Sequence, residues 1–188
     1  MKTLIHYAQT ILLIGLIGGS VAQAQTPVTG YVDFGKLTPS ADGGEFVEVN
    51  IRSNLISMAA RLASKAEPQV ADLLRGIQQV RVNVLGLSDA NRMDIRKRVQ
   101  TIRDELDALQ WERVVTVQNP QEDVGVWLKM RGDEAVEGLV VTVLSGDKEA
   151  VLVNIVGNIR PEKVAMIGER FNIEPLKNLG PALEHTKH

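Results

Sequence analysis

The chain has 188 residues, a near-balanced charge with a formal net of −2, and no cysteine. Thiol redox chemistry, cysteine nucleophiles and zinc–thiolate sites are thereby excluded, and no basic excess offers a footprint for nucleic acid. The three histidines are His6, His185 and His188, so the body of the chain has no material for a Ser–His–Asp triad or a His-ligated metal.

Lys2 and His6 form a polar start, Ile11 to Ile17 an apolar run, and Ala22-Gln23-Ala24 a small-x-small cleavage site. This three-part pattern predicts a secretory signal peptide over 1–24 and a mature, periplasmic or secreted chain that begins at Gln25. The apolar run is far shorter than the ~20 residues a membrane span needs. No cysteine follows the cleavage site, so no lipid anchor and no stable membrane attachment are expected after cleavage. Residues 25–44 are rich in Gly and Pro and read as a flexible lead-in, with Tyr31, Phe34 and Leu37 docking on the domain.

Residues 45–176 read as one α+β domain. Phe46 to Ile51 alternates as a strand, with Val47, Val49 and Ile51 on one side. Ser53 or Asn54 then caps a helix whose apolar positions are Leu55, Ala59, Leu62 and Ala66. Pro68 opens a second helix through Val70, Leu73, Leu74 and Ile77. Val80 to Leu85 is another strand. Ser88 or Asp89 caps a long helix with the stripe Ile95, Val99, Ile102, Leu106 and Leu109. Trp111 to Val117, Val124 to Met130, Leu139 to Leu144 and Val151 to Val156 follow as strands. Turns at Arg131-Gly132-Asp133-Glu134 and Ser145-Gly146-Asp147-Lys148 join the last three. Pro161 starts a last helix carrying Val164, Ile167 and Phe171, and 177–188 is an irregular tail. The order β-α-α-β-α-β-β-β-β-α predicts a single, mainly antiparallel sheet with helices packed on one face.

Three strands carry an Asn between two apolar residues: Val49-Asn50-Ile51, Val82-Asn83-Val84 and Val153-Asn154-Ile155. Alternation turns each Asn away from the face its neighbours bury. On a sheet covered on one side only, Asn50, Asn83 and Asn154 point to the open face, joined by Arg52, Arg81, Trp127, Lys129 and Thr142. These eight residues are the candidate binding surface, for a polar ligand or a protein partner. Val140, Leu144, Leu152 and Val156 share the same parity, so part of the face needs a cover. The Tyr31–Leu37 segment is the preferred cover, and a second copy of the chain, as a homodimer, is the alternative.

Other constellations are weaker. Arg92, Arg96, Lys97, Arg98 and Arg103 precede Asp104, Glu105 and Asp107 on the long helix, against the sense its dipole favours. Pairs such as Asp94–Arg98 and Arg103–Asp107 offset this. Asp89, Asn91 and Asp94 start like a calcium loop, but Asp94 stands where such a loop has Gly and Gln100 where it has Glu. Glu122-Asp123 and Asp133-Glu134 are the carboxylate pairs available to a hydrolase. No phosphate-binding glycine loop is present, and no cofactor is expected.

Gly30-Tyr31-Val32-Asp33-Phe34, Phe46-Val47-Glu48-Val49-Asn50-Ile51, Asp123-Val124-Gly125-Val126-Trp127-Leu128-Lys129 and Gly138-Leu139-Val140-Val141-Thr142-Val143 resemble the domain of unknown function 4252 family of exported bacterial proteins. The resemblance runs from Gly30 to Leu176. It implies a bacterial envelope protein, with some relatives being lipoproteins or encoded near alternative sigma factors and their regulators. It implies no reaction and no catalytic residues, and the lipoprotein cysteine is absent here. The expected function is therefore a non-enzymatic binding or interaction domain of the envelope, with a link to envelope signalling by analogy. The alternative is a hydrolase working through carboxylates alone.

Overall fold

β-branched residues at period two dominate six segments, and in the computed structural model, which describes residues 28–39 and 44–170, each segment is a strand. They are β1 (Phe46–Arg52), β2 (Ile77–Gly86), β3 (Glu112–Gln118), β4 (Asp123–Arg131), β5 (Ala135–Ser145) and β6 (Glu149–Ile159). Helices α1 (Ser53–Ala63) and α2 (Pro68–Gly76) lie between β1 and β2, and α3 (Arg92–Ala108) between β2 and β3. A 3-10 turn at Pro161–Lys163 leads into α4 (Val164–Arg170). The expected leader, Phe171 and the C-terminal tail lie outside the described residues.

The strands form one sheet in the order β1-β2-β6-β5-β4-β3, and every neighbouring pair is antiparallel. Gly132 and Gly146, at φ of +55° and +52°, supply the left-handed residue in each tight turn of the meander. The α+β class and the single antiparallel sheet match the pattern read from the sequence.

The helices do not share one face. Ile56 of α1, Leu73 of α2, and Val164 and Ile167 of α4 pack on Val80, Val126, Val141, Val153 and Ile155. Val99, Ile102 and Leu106 of α3 pack on Trp127, Val140, Leu144 and Leu152 of the opposite face, together with Val32 and Phe34 of the lead-in. Connectivity explains the split. β2 and β3 stand four strand positions apart, about 19 Å at ordinary strand spacing. The 17 residues of α3 reach about 26 Å, enough to carry the chain across the sheet. The face beneath that crossing is apolar, and the crossing buries it.

Local details depart from the sequence pattern in three places. On α1 the buried positions are Ile56 and Ala60, while Leu55 and Leu62 are exposed. α1 starts at Ser53 itself, with no side-chain cap. The N-cap of α3 is Asn91, whose Oδ1 accepts from the Ser88 N–H at 2.8 Å and whose Nδ2 donates to the Gly86 carbonyl at 2.9 Å. Asn91 thus shapes the turn rather than a cation loop. The helix ends one residue before its stripe runs out: Gln110 takes a left-handed φ of 59°, and Leu109 is left in solvent.

Candidate functional site

The eight residues assigned to an open face share that face, but the face is roofed. Asn83, Trp127, Thr142 and Asn154 are buried and are therefore not available to a partner. Two polar joints account for most of them, and both hold the roof.

The first joint clamps the lead-in. Arg81 and Asn154 are directly opposite one another on β2 and β6. The Val32 N–H donates to Asn154 Oδ1 at 3.1 Å, and Arg81 Nη1 donates to the Val32 carbonyl at 3.0 Å. Asn154 Nδ2 donates to the Gly30 and Leu139 carbonyls at 2.9 and 3.2 Å. The Arg81 guanidinium also lies 5.2 Å from the Tyr31 ring centre and 5.3 Å from that of Phe34, a cation–π arrangement. The lead-in crosses β5 where two glycines meet. A Cβ on Gly30 would lie 2.0 Å from the Glu137 carbonyl oxygen, and one on Gly138 would lie 2.5 Å from the Gly30 Cα. Arg98 of α3 donates to the Phe34 carbonyl at 2.8 Å, so it serves the lead-in and not Asp94.

The second joint holds α3. The Trp127 ring lies along β4 above Gly125, where a Cβ would meet it at 2.2 Å. Its Nε1 donates to Asp107 Oδ1 at 2.8 Å. Arg103, expected to pair with Asp107, instead reaches down to the sheet. Its Nη1 donates to both Asp123 carboxylate oxygens at 2.9 and 2.8 Å, and its Nε donates to Thr142 Oγ1 at 3.0 Å. Asp107 pairs with Arg113 of β3. Lys129 Nζ donates to the Leu109 carbonyl at 2.7 Å, closing the end of α3. Burial explains the exchange: a guanidinium under a helix needs a carboxylate within reach on the same side. At the start of α3, Arg92 and Arg96 both meet Asp147.

Asn83 differs from Asn154. It is buried, and its Oδ1 has no hydrogen-bond partner among the described residues. Asn50 and Arg52 stay in solvent, at the uncovered end of the face. Asn50 Oδ1 accepts from Gln79 Nε2 at 2.9 Å. Arg52 borders an open depression of about 310 Å³ with Val28, Ser53, Gln78, Gln79 and Val156. Among the described residues no carboxylate lines it. Asp133 and Glu134 are exposed in the β4–β5 turn, and Asp123 is occupied by Arg103. Among the described residues no group of three or more His, Cys, Asp or Glu is placed to hold a metal.

Exposed apolar groups gather elsewhere, on the β1 side. Leu55, Met58 and Leu62 are 49, 47 and 76% exposed and share one flank of α1 by their spacing. Arg61 and Lys65 stand beside them, and no acid occurs between Glu48 and Glu67. β1 itself is a terminal strand of the sheet. The Gly86 N–H donates to the Glu45 carbonyl at 2.7 Å, so odd-numbered residues of β1 face β2. By antiparallel alternation Phe46, Glu48, Asn50 and Arg52 direct their backbone groups outward. The other terminal strand, β3, carries a bulge between Arg113 and Val115, and Arg113 is tied to α3. β1 has no bulge against β2 and no Pro or Lys, the usual guards of an edge.

Sequence reading found Leu55 and Leu62 but placed them inside, and missed Met58. The signal was present as two competing apolar stripes on one short helix. No curated protein and no solved structure matches the chain. The family model described as Domain of unknown function (DUF4252) matches residues 41–167, most of the chain, and the chain belongs to that family.

Proposed function

We propose that the chain is an exported, non-enzymatic interaction domain of the bacterial cell envelope, and that it binds through the β1 edge and the adjoining flank of α1. The observation that carries this reading is the row Leu55, Met58 and Leu62. Three large apolar side chains on one helix flank remain in water, although the fold has buried comparable groups on both faces of its sheet. Exposed apolar clusters of this kind mark partner surfaces. The carboxylate-only hydrolase lacks comparable support, since Asp123 is spent on Arg103.

The test is a photo-crosslinking residue placed at Leu62 in living cells, with one at Met93 as control. Met93 is 77% exposed but lies on α3, away from the proposed surface. Adducts at Leu62 and none at Met93 are expected, in the periplasmic fraction, from a chain whose first residue is Gln25. Absence of any adduct at Leu62 would remove the proposed surface, and a retained Met1 would remove export.

A further inference from the structure

We propose that the partner of this surface is a second copy of the chain, joined β1 to β1 about a two-fold axis at Asn50. The proposal rests on the reading of the β1 edge and α1 flank as a binding surface, and it names the occupant. A two-fold at Asn50 sets Asn50 opposite Asn50, Glu48 opposite Arg52 and Val49 opposite Ile51. The even residues, whose N–H and C=O groups point outward, then form the hydrogen-bonded pairs, as an antiparallel ladder requires. Half-buried Val49 and half-buried Ile51 meet each other in the closer, non-hydrogen-bonded positions.

Charge selects this register. On the other face Glu48 stands directly opposite Arg52 of the second copy, and Arg52 opposite its Glu48. The two pairs are equivalent by symmetry, as in any isologous interface. Moving the axis one residue either way loses this pairing: at Val49, Glu48 faces Asn50 and lies diagonal to Arg52 and to Glu48 of the second copy alike, and at Ile51 it faces Asn54, beyond the strand. Position in the fold adds a second contact. α1 packs on β1 and β2, and α2 on β2 and β6, so α1 is the outermost helix of its face. The exposed Leu55, Met58 and Leu62 are on the flank not held by α2. A two-fold normal to the sheet keeps both α1 helices on one face and turns these flanks toward each other. One operation thus covers the open edge and the exposed stripe together.

The experiment is sedimentation of the full chain at micromolar concentrations, with three variants. The parent should sediment as a dimer. Glu48→Arg sets two cations directly opposite one another twice over and should weaken association about tenfold or more. The double variant Glu48→Arg with Arg52→Glu should restore it. Asn50→Pro removes an N–H that points outward and is not used by the chain's own ladder, and should give monomer with unchanged circular dichroism. A monomeric parent overturns the proposal, as does a dimer indifferent to Glu48→Arg and Asn50→Pro, or a charge swap that fails to rescue. Leu62 adducts of a mass other than twice the chain would also overturn it, while leaving the binding surface standing. No adduct at all would sink both.

Discussion

Trp127 changes its meaning once the sheet is seen to have two covered sides. Read as an exposed aromatic, it is a place for a partner to land. Buried at 1% exposure, with its indole N–H on Asp107 and Arg103 beside its ring, it anchors α3. Trp127→Ala is therefore expected to cost ~3–5 kcal/mol, through lost burial and the cavity left behind. A urea titration reads this as a lowered midpoint, with association unchanged because β1 lies at the far end of the sheet. Parity was legible in the sequence: Asn83, Trp127, Thr142 and Asn154 do share one face. The roof was not legible, because it depends on contacts such as Asn154 to Gly30, separated by 124 positions, that no local pattern encodes. The role of Arg103 was hidden for the same reason. Asp107 lies one turn away in sequence, whereas Asp123 is brought beneath Arg103 only by the fold.

At the scale of elements, the strands were the most legible and the helix faces the least. Strand alternation has two phases and the apolar one wins clearly. α1 offers Ile56 and Ala60 on one side and Leu55, Met58 and Leu62 on another, so composition favours the wrong stripe. Packing decides otherwise, because the small Ala60 lets the helix lie close to the sheet. A different joint governs how α2 meets the turn before α4. Asp72 Oδ2 lies 2.6 Å from Arg160 Nη2 and 3.3 Å from Lys163 Nζ. The hydrogen bond from Lys163, with Arg160 and Arg75 adding their charge, holds the Asp72 carboxyl below the usual carboxylate range. A lowered folded value means a contribution that is complete above the unfolded value near pH 4 and lost as pH falls through the folded one. Stability should thus decline with acid below about pH 4, and Asp72→Asn should flatten part of that decline. Thermal melts of parent and variant across this range check the sign, and a steeper decline in the variant would contradict it.

For the whole molecule, the lead-in is part of the core rather than a tether. Asn154→Leu keeps the side-chain volume but leaves the Val32 N–H and the Gly30 carbonyl without their partner. Each unsatisfied group costs ~1–3 kcal/mol, and local release of the segment is the cheaper response. Trypsin cleavage after the exposed Lys36 should then accelerate about tenfold or more, tenfold corresponding to ~1.4 kcal/mol, before the sheet itself unfolds. Equal cleavage rates in variant and parent would show that the apolar contacts of Phe34 hold the segment unaided. The same clamp has a consequence in time. Val32 and its acceptor are 122 positions apart, and a chain is delivered from its N-terminus. The segment that arrives first can dock only after β6, the last strand, has arrived and paired. If the chain is exported as proposed, threading from the N-terminus keeps its underside unsealed throughout passage. A molecule halted part-way has no Asn154 to receive its own beginning, so its underside stays open until β6 is in place.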